Sequence, residues 1–118
     1  ALLWLQRPDG ASWLVQRPDT GVWAGLWALP EFDDLAALDA AMAEWPGEAE
    51  TLPTIHHVLT HFDWALTPVR LRLPASSGAA ARDLDQGVQQ RWPSGRWVTP
   101  DQLAAHGLPA PLKKLLVG

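Results

Sequence analysis

The chain has 118 residues, the length of one compact domain, and nine Lys and Arg against thirteen Asp and Glu give it a net charge of −4. That charge excludes a domain whose binding to nucleic acid depends on many phosphate contacts. No Cys is present, which excludes disulfides, thiolate metal sites and iron–sulfur ligation, and no apolar run reaches the ~20 residues of a membrane helix.

The N-terminal part begins with strands. Apolar runs at 2–6 and 12–17, separated by a turn at Pro8-Asp9-Gly10, predict an antiparallel hairpin. Glycines make residues 18–25 a loop, and 26–29 resume a short buried strand.

A helix is predicted next. Apolar residues recur at helical spacing over 35–45, Asp33 or Asp34 can cap the helix, and Pro46 stops it. Seven acids and no Lys or Arg fall in residues 31–50, so the rest of the chain holds nine cations against six acids, a net charge of +3. We expect this acidic helix face to point away from any DNA.

The central part returns to strands. Residues 54–58 predict one strand, and 62–73 predict a second, longer one. Pro68 lacks the N–H that a central strand donates, which predicts an edge position or a bulge. Residues 74–90 are rich in Ala, Ser and Gly without clear periodicity, which predicts a mobile loop with at most a short helical turn near Arg82.

The C-terminal part supplies a strand at 96–98, a short helix that Thr99 caps and Gly107 ends, and a terminal helix over 110–117. Strands and helices thus mix along the chain, which predicts an α+β fold with a mixed sheet covered by helices. The core is expected to include five tryptophans that lie in apolar, strand-like stretches: Trp4, Trp13, Trp23, Trp27 and Trp64.

Three segments carry motifs: 21–30 (GVWAGLWALP), 57–62 (HVLTHF) and 107–116 (GLPAPLKKLL). In the same order they resemble the G-L-W-G-G-L-W-x-x-P, H-x-F-S-H-F and L-P-A-P-V-K-K-L-L segments of the C-terminal, Nudix-like domain of MutY-type adenine DNA glycosylases. The resemblance implies a Nudix-like α/β/α sandwich with a mixed, mainly antiparallel sheet and flanking helices, as one domain over 1–118. Because Ala1 stands inside an apolar run, we expect a catalytic N-terminal domain to precede it in the parent protein.

The carboxylates of a Nudix hydrolase are not matched. Such enzymes hold divalent metal on the pattern G-x5-E-x7-R-E-U-x-E-E-x-G-U. Aligned after Pro30, the pattern starts at Glu31 or Phe32, and in both registers Glu50 alone falls on a carboxylate position. Pro46 interrupts the helix that would present it. We therefore expect neither a catalytic residue nor a metal site in this chain.

The resemblance assigns the function to Leu59, Thr60 and His61. Glycosylases of this family remove adenine paired with 8-oxoguanine, hydrolysing the N-glycosidic bond in base excision repair. The oxidised base has an added oxygen at C8 and a proton at N7, and the Thr60 hydroxyl can donate to the first and accept from the second. Leu59 replaces the family's Phe as an apolar wedge, and His61 would probe polar groups of the lesion or its flanking phosphate.

The resemblance also implies partners and setting: double-stranded DNA that contains 8-oxoguanine paired with adenine, the parent's own catalytic domain, and a monomer in the bacterial cytoplasm, associated with the nucleoid and not with a membrane. The family's 4Fe-4S cluster belongs to the N-terminal part, and no cofactor is expected in this chain. Six cations can contact phosphate or the catalytic domain, and the sequence does not choose among them: Arg17, Arg70, Arg72, Arg96, Lys113 and Lys114.

Two other functions remain open at this stage. One is a nucleotide pyrophosphohydrolase with an eroded Nudix box, and the other is a protein-interaction module on a Nudix scaffold. The site residues also have ordinary alternatives, since Thr60 can stabilise a turn and His61 can be solvent-exposed without a role.

Overall fold

The computed structural model describes residues 1–58 and 63–117, and over these ranges the chain forms eight strands, three α-helices and one 3₁₀ helix. The strands are β1 (Leu2–Gln6), β2 (Ser12–Gln16), β3 (Trp27–Ala28), β4 (Glu48–Thr51), β5 (Ile55–Val58), β6 (Asp63–Leu66), β7 (Pro68–Arg72) and β8 (Gly95–Val98). The helices are α1 (Leu35–Met42), α2 (Gly78–Arg91), the 3₁₀ helix (Pro100–Ala105) and α3 (Ala110–Val117).

Six strands form one mixed sheet. Its order is β3-β2-β1-β7-β4, and β8 also pairs with β2. β1 and β7 are parallel, and the other pairs of this sheet are antiparallel. Gly10, at φ +89°, lets the chain reverse between β1 and β2, and the Asp9 carboxylate accepts a hydrogen bond from the Ala11 backbone N–H. The predicted mixed, mainly antiparallel sheet is confirmed.

The sheet is covered on both faces because its central strand is apolar on both sides. In β1, Leu2 and Trp4 point to one face and Leu3 and Leu5 to the other. The first core cluster joins the former pair to the 3₁₀ helix and α3 through Leu103 and Leu112. The second core cluster joins the latter pair to α1 and α2 through Leu38 and Val88. This is the predicted α/β/α sandwich.

Helix caps follow the sequence signals. The Asp34 carboxylate accepts a hydrogen bond of 2.8 Å from the backbone N–H of Ala37, at the start of α1. Thr99 and Gln102 form a capping box at the start of the 3₁₀ helix. No helix within the described ranges is both long enough and apolar enough to cross a bilayer.

Two expectations about the middle of the chain are wrong. Residues 74–90 do not form the predicted loop: α2 occupies Gly78–Arg91, because Leu84 and Val88 lie four residues apart, on one side of the helix, and pack in the second core cluster. Pro68 was expected at an edge or a bulge, but β7 lies between β1 and β4. Pro68 is the first residue of β7, a position where its missing N–H costs no regular ladder bond.

The predicted strand over 62–73 is two strands, β6 and β7, with Thr67 between them. The break separates the two sheets, because β7 joins the main sheet and β6 does not. The Thr67 backbone carbonyl accepts from the N–H of Leu2, and its hydroxyl lies 2.9 Å from that of Thr54. β4 was not predicted, since its four residues are all exposed and carry no apolar alternation.

Candidate nucleic-acid interface

The predicted site residues Leu59, Thr60 and His61 lie outside the residues that the structure describes. The strands on either side of them are described. β5 and β6 form a separate two-stranded antiparallel sheet, with Val58 opposite Asp63 and His57 opposite Trp64. We call this unit the β5–β6 pair.

The β5–β6 pair is attached by side chains and not by the hydrogen bonds of the main sheet. One side of the pair packs on the first core cluster through Ile55, Trp64 and Leu66. The other side carries exposed residues, among them His56 and Val58, and the Val58 side chain is 74% exposed. The packing of a few side chains therefore attaches the β5–β6 pair to the rest of the domain.

One tryptophan from a distant loop packs against the buried side of the β5–β6 pair. The Trp23 ring lies 4.8 Å from that of Trp64 and 5.5 Å from that of His57, centroid to centroid. The Arg17 guanidinium lies 5.9 Å from the Trp64 ring centroid, within reach of a cation–π contact. We call Trp23, His57 and Trp64 the Trp23 cluster. It fixes the β5–β6 pair relative to the loop that follows β2.

The backbone of that loop is shaped to present Trp23. Trp23 has φ +59°, a left-handed conformation that a bulky residue rarely adopts. The loop is closed by hydrogen bonds from the Gly25 N–H to the Pro18 carbonyl, 2.9 Å, and from Arg17 to the Val22 carbonyl, 3.3 Å. Packing against the β5–β6 pair stabilises a conformation that costs roughly 1–2 kcal/mol for a residue with a Cβ.

The tryptophans differ in burial from what the sequence suggested. Trp4 and Trp13 are 6% and 3% exposed, as expected for the core. Trp23, Trp27 and Trp64 are only half-buried and lie at the margin of the first core cluster. Aromatic rings in that position can serve both packing and contact with a ligand.

α1 lies on the opposite face of the sheet from the β5–β6 pair. α1 packs on the second core cluster through Leu38, whereas Trp64 packs on the first. Of the seven acids in residues 31–50, α1 contains only Asp39. The predicted acidic helix face is therefore wrong.

Glu50 lies in β4 and is paired across the sheet with Arg70, on the face of the first core cluster. Its carboxylate is engaged by Arg70, and Glu31 lies 3.9 Å from Arg17. Two of the six candidate cations are thus used within the domain.

A groove runs beside the start of β5. It has a volume of about 480 Å³ and lies between residues 52–56 and α3, with Pro111, Lys114 and Leu115 on the α3 side. Most of its lining is apolar, and Lys114 and His56 both line it. Lys114 therefore lies on the same side of the domain as the β5–β6 pair.

The NUDIX domain family matches residues 1–117. The chain belongs to the NUDIX domain family. Its fold is similar to that of the C-terminal domain of mouse MUTYH, crystallised in complex with human PCNA, with a TM-score of 0.63, 24% sequence identity, and coverage of 97% of this chain and 81% of that one. The predicted Nudix-like fold is confirmed.

Two further solved structures match at lower TM-scores. One is the Nudix hydrolase RenU from M. smegmatis, with a TM-score of 0.45, 22% identity, and coverage of 97% of this chain and 81% of that chain. The other is a protein from Deinococcus radiodurans, with a TM-score of 0.49, 15% identity, and coverage of 98% of this chain and 78% of that chain.

In this NUDIX domain, the one carboxylate that aligns with the family's catalytic pattern is not on a helix. α1 ends at Met42, and Glu50 lies in the exposed strand β4. The Arg70 guanidinium, which also lies 5.0 Å from the Trp4 ring centroid, forms an ion pair with it at 2.5 Å. Within 1–58 and 63–117, no three His, Asp or Glu side chains are grouped so as to hold a metal ion.

Proposed function

We propose that this NUDIX domain reads 8-oxoguanine for an adenine DNA glycosylase, with Leu59, Thr60 and His61 as the residues that contact the lesion. The observation that carries the proposal is the 57–62 motif. Its first two residues end β5, and β6 begins directly after its last residue. Among the residues that the structure describes, these two strands pair with each other alone, and the Trp23 cluster holds them to the domain. Contact residues on such a unit can enter DNA without disturbing the main sheet.

The chemistry of the three residues fits the difference between the two bases. Guanine presents an acceptor at N7, whereas 8-oxoguanine presents a donor there and an extra acceptor at C8. A hydroxyl both donates and accepts, so Thr60 can satisfy the oxidised base. Leu59 supplies apolar contact with the stack, and His61 supplies a polar contact to the base or a flanking phosphate.

The fate of the Nudix carboxylates supports binding over hydrolysis. Metal-dependent pyrophosphate hydrolysis needs several carboxylates converging on one site. Glu50 is engaged by Arg70 on a strand instead, and the similarity in fold to the MUTYH C-terminal domain favours a glycosylase context. The proposed partners are accordingly double-stranded DNA with 8-oxoguanine opposite adenine and the catalytic domain of the same glycosylase.

The proposal is tested by adenine excision with the full-length protein on duplexes that pair adenine with 8-oxoguanine or with guanine. Thr60→Val removes the hydroxyl at nearly constant volume, and Thr60→Ser is the matched control that keeps it. A lost hydrogen bond of this kind corresponds to roughly a tenfold fall in the preference for the oxidised partner. Thr60→Ser should keep the preference. Equal preference in both variants, or no excision by the wild type, would overturn the proposal.

A further inference from the structure

Arg96 is held in an open position on the face that carries the β5–β6 pair. Its guanidinium carbon lies 4.6 Å from the Trp27 ring centroid, and the His106 ring meets the same indole edge-on at 5.2 Å. Arg96 is exposed, and within residues 1–58 and 63–117 its side chain forms no ion pair and no hydrogen bond. Stacking on Trp27 restricts the guanidinium while its N–H groups remain free to donate.

Other arginines are committed to internal contacts. Arg7 also stacks on a tryptophan, Trp97, at 4.8 Å, but Asp9 neutralises it through an ion pair of 2.7 Å. Arg17 and Arg70 are paired with glutamates. Arg91 stacks on Phe32 and Trp92, which pack against the second core cluster. Arg7 and Arg96 therefore both stack on a tryptophan. They differ because a carboxylate pairs with Arg7 and because the two arginines lie in different parts of the sheet.

The place of Arg96 is set by the sheet register. Arg96 is opposite Leu14, and directly opposed residues of paired strands share a face, so its side chain lies on the face of the first core cluster. Trp27 and Trp64 pack on that same cluster. α1 lies on the other face, and Glu50, which shares the face of Arg96, is paired with Arg70.

The two ends of the sheet separate Arg96 from Arg7. The end of β2 at Gln16 adjoins the start of β1 at Leu2, whose N–H bonds to Thr67, the residue that follows the β5–β6 pair. Arg7 follows the far end of β1, about 15 Å along a strand of this length. Arg96 is the second residue of β8, and β8 begins opposite Val15, near the end of β2. Arg96 is therefore closer than Arg7 to the end of the sheet that adjoins the β5–β6 pair.

We propose that Arg96 binds a backbone phosphodiester of the DNA whose lesion the β5–β6 pair approaches; the proposal rests on the proposed function for the identity of the ligand. A planar guanidinium already ordered by an indole can donate two parallel hydrogen bonds to phosphate oxygens. Such a contact adds affinity without reading sequence. In a domain of net charge −4, few such contacts are available, so the loss of one should be measurable.

The test is the salt dependence of duplex binding by the 118-residue chain, followed by fluorescence anisotropy of a labelled duplex from 20 to about 200 mM NaCl, a range that spans strong to weak screening. For Arg96→Ala, the slope of log K against log salt should fall by about one, with roughly tenfold weaker binding at low salt. The loss should be equal for duplexes with 8-oxoguanine and with guanine. Arg7→Ala is the matched control: it removes the same charge and the same kind of stack, and should leave the slope unchanged.

Three results would overturn the inference: a wild-type slope in Arg96→Ala, an equal slope change in Arg7→Ala, or no binding by the wild type at the lowest salt. Circular dichroism confirms that each variant is folded. The outcome is separable from that of the proposed function. If Thr60→Val loses the preference for 8-oxoguanine while Arg96→Ala keeps the wild-type slope, the lesion reader stands and the phosphate assignment fails. If Arg96→Ala lowers the slope while Thr60→Val keeps the preference, the phosphate assignment stands and the lesion reader fails.

Discussion

Trp23 offers an unusual stability test, because its ring and its backbone conformation act in opposite directions. Replacing Trp23 removes its contacts with Trp64 and His57, which at about 0.5–1.5 kcal/mol for each aromatic pair amounts to roughly 1–3 kcal/mol. Alanine at φ +59° still carries the strain of about 1–2 kcal/mol, whereas glycine does not. Glycine costs about 0.5–1 kcal/mol more in chain entropy. Trp23→Gly should therefore be more stable than Trp23→Ala, by about 0.75 kcal/mol at the midpoint of these ranges and by at most about 1.5 kcal/mol.

The assay is urea unfolding followed by far-ultraviolet circular dichroism, since the eight tryptophans of the chain blur a fluorescence signal. Ala24 is the matched control in the same loop, because it does not share the positive φ of Trp23. Ala24→Gly should lower the free energy of unfolding by about 0.5–1 kcal/mol, the usual cost of replacing alanine by glycine. The reasoning is refuted if Trp23→Ala is as stable as Trp23→Gly or more stable.

Two further predictions concern turns. Gly47→Ala should lower the free energy of unfolding by about 2 kcal/mol or more, because φ is +133° and an added Cβ would meet the Arg72 carbonyl oxygen; chemical denaturation measures it. Hydrogen bonds from Arg7 and from the Ala11 N–H lower the pKa of Asp9, so its stabilisation is present above about pH 4 and is lost as the pH falls through the lowered folded-state value. Asp9→Asn should cost under about 1 kcal/mol at pH 7, because the pair is exposed, and less as the pH falls toward 2; an equal loss at both pH values would contradict this.

Much of the fold could be predicted from local patterns. The β1–β2 hairpin, the cap of α1 by Asp34, the capping of the 3₁₀ helix by Thr99 and the terminal helix all follow from signals within a few residues of each element. α2 was missed because its apolar stripe consists of one Leu and one Val among Ala, Gly and Gln. β4 was missed because it is stabilised by its pairing with β7, which leaves no trace in its own sequence.

The candidate site also has a part that the local sequence predicts and a part that depends on contacts between distant residues. The motif over 57–62 is local, and the sequence alone is enough to identify Leu59, Thr60 and His61 as candidate contact residues. The contact between Trp23 and Trp64 joins residues 41 positions apart, and nothing near Trp23 distinguishes it from a core residue. The same holds for Arg96 on Trp27, since only the register of β8 on β2 brings that pair together.

The central claim, that this domain reads the lesion, is tested most directly by the Thr60→Ala/His61→Ala double variant of the full-length protein. The measurement is the ratio of adenine excision rates opposite 8-oxoguanine and opposite guanine. We predict that the ratio falls toward one because excision opposite 8-oxoguanine slows, while excision opposite guanine is retained. A ratio equal to that of the wild type would contradict the account and would make the domain a docking or structural element.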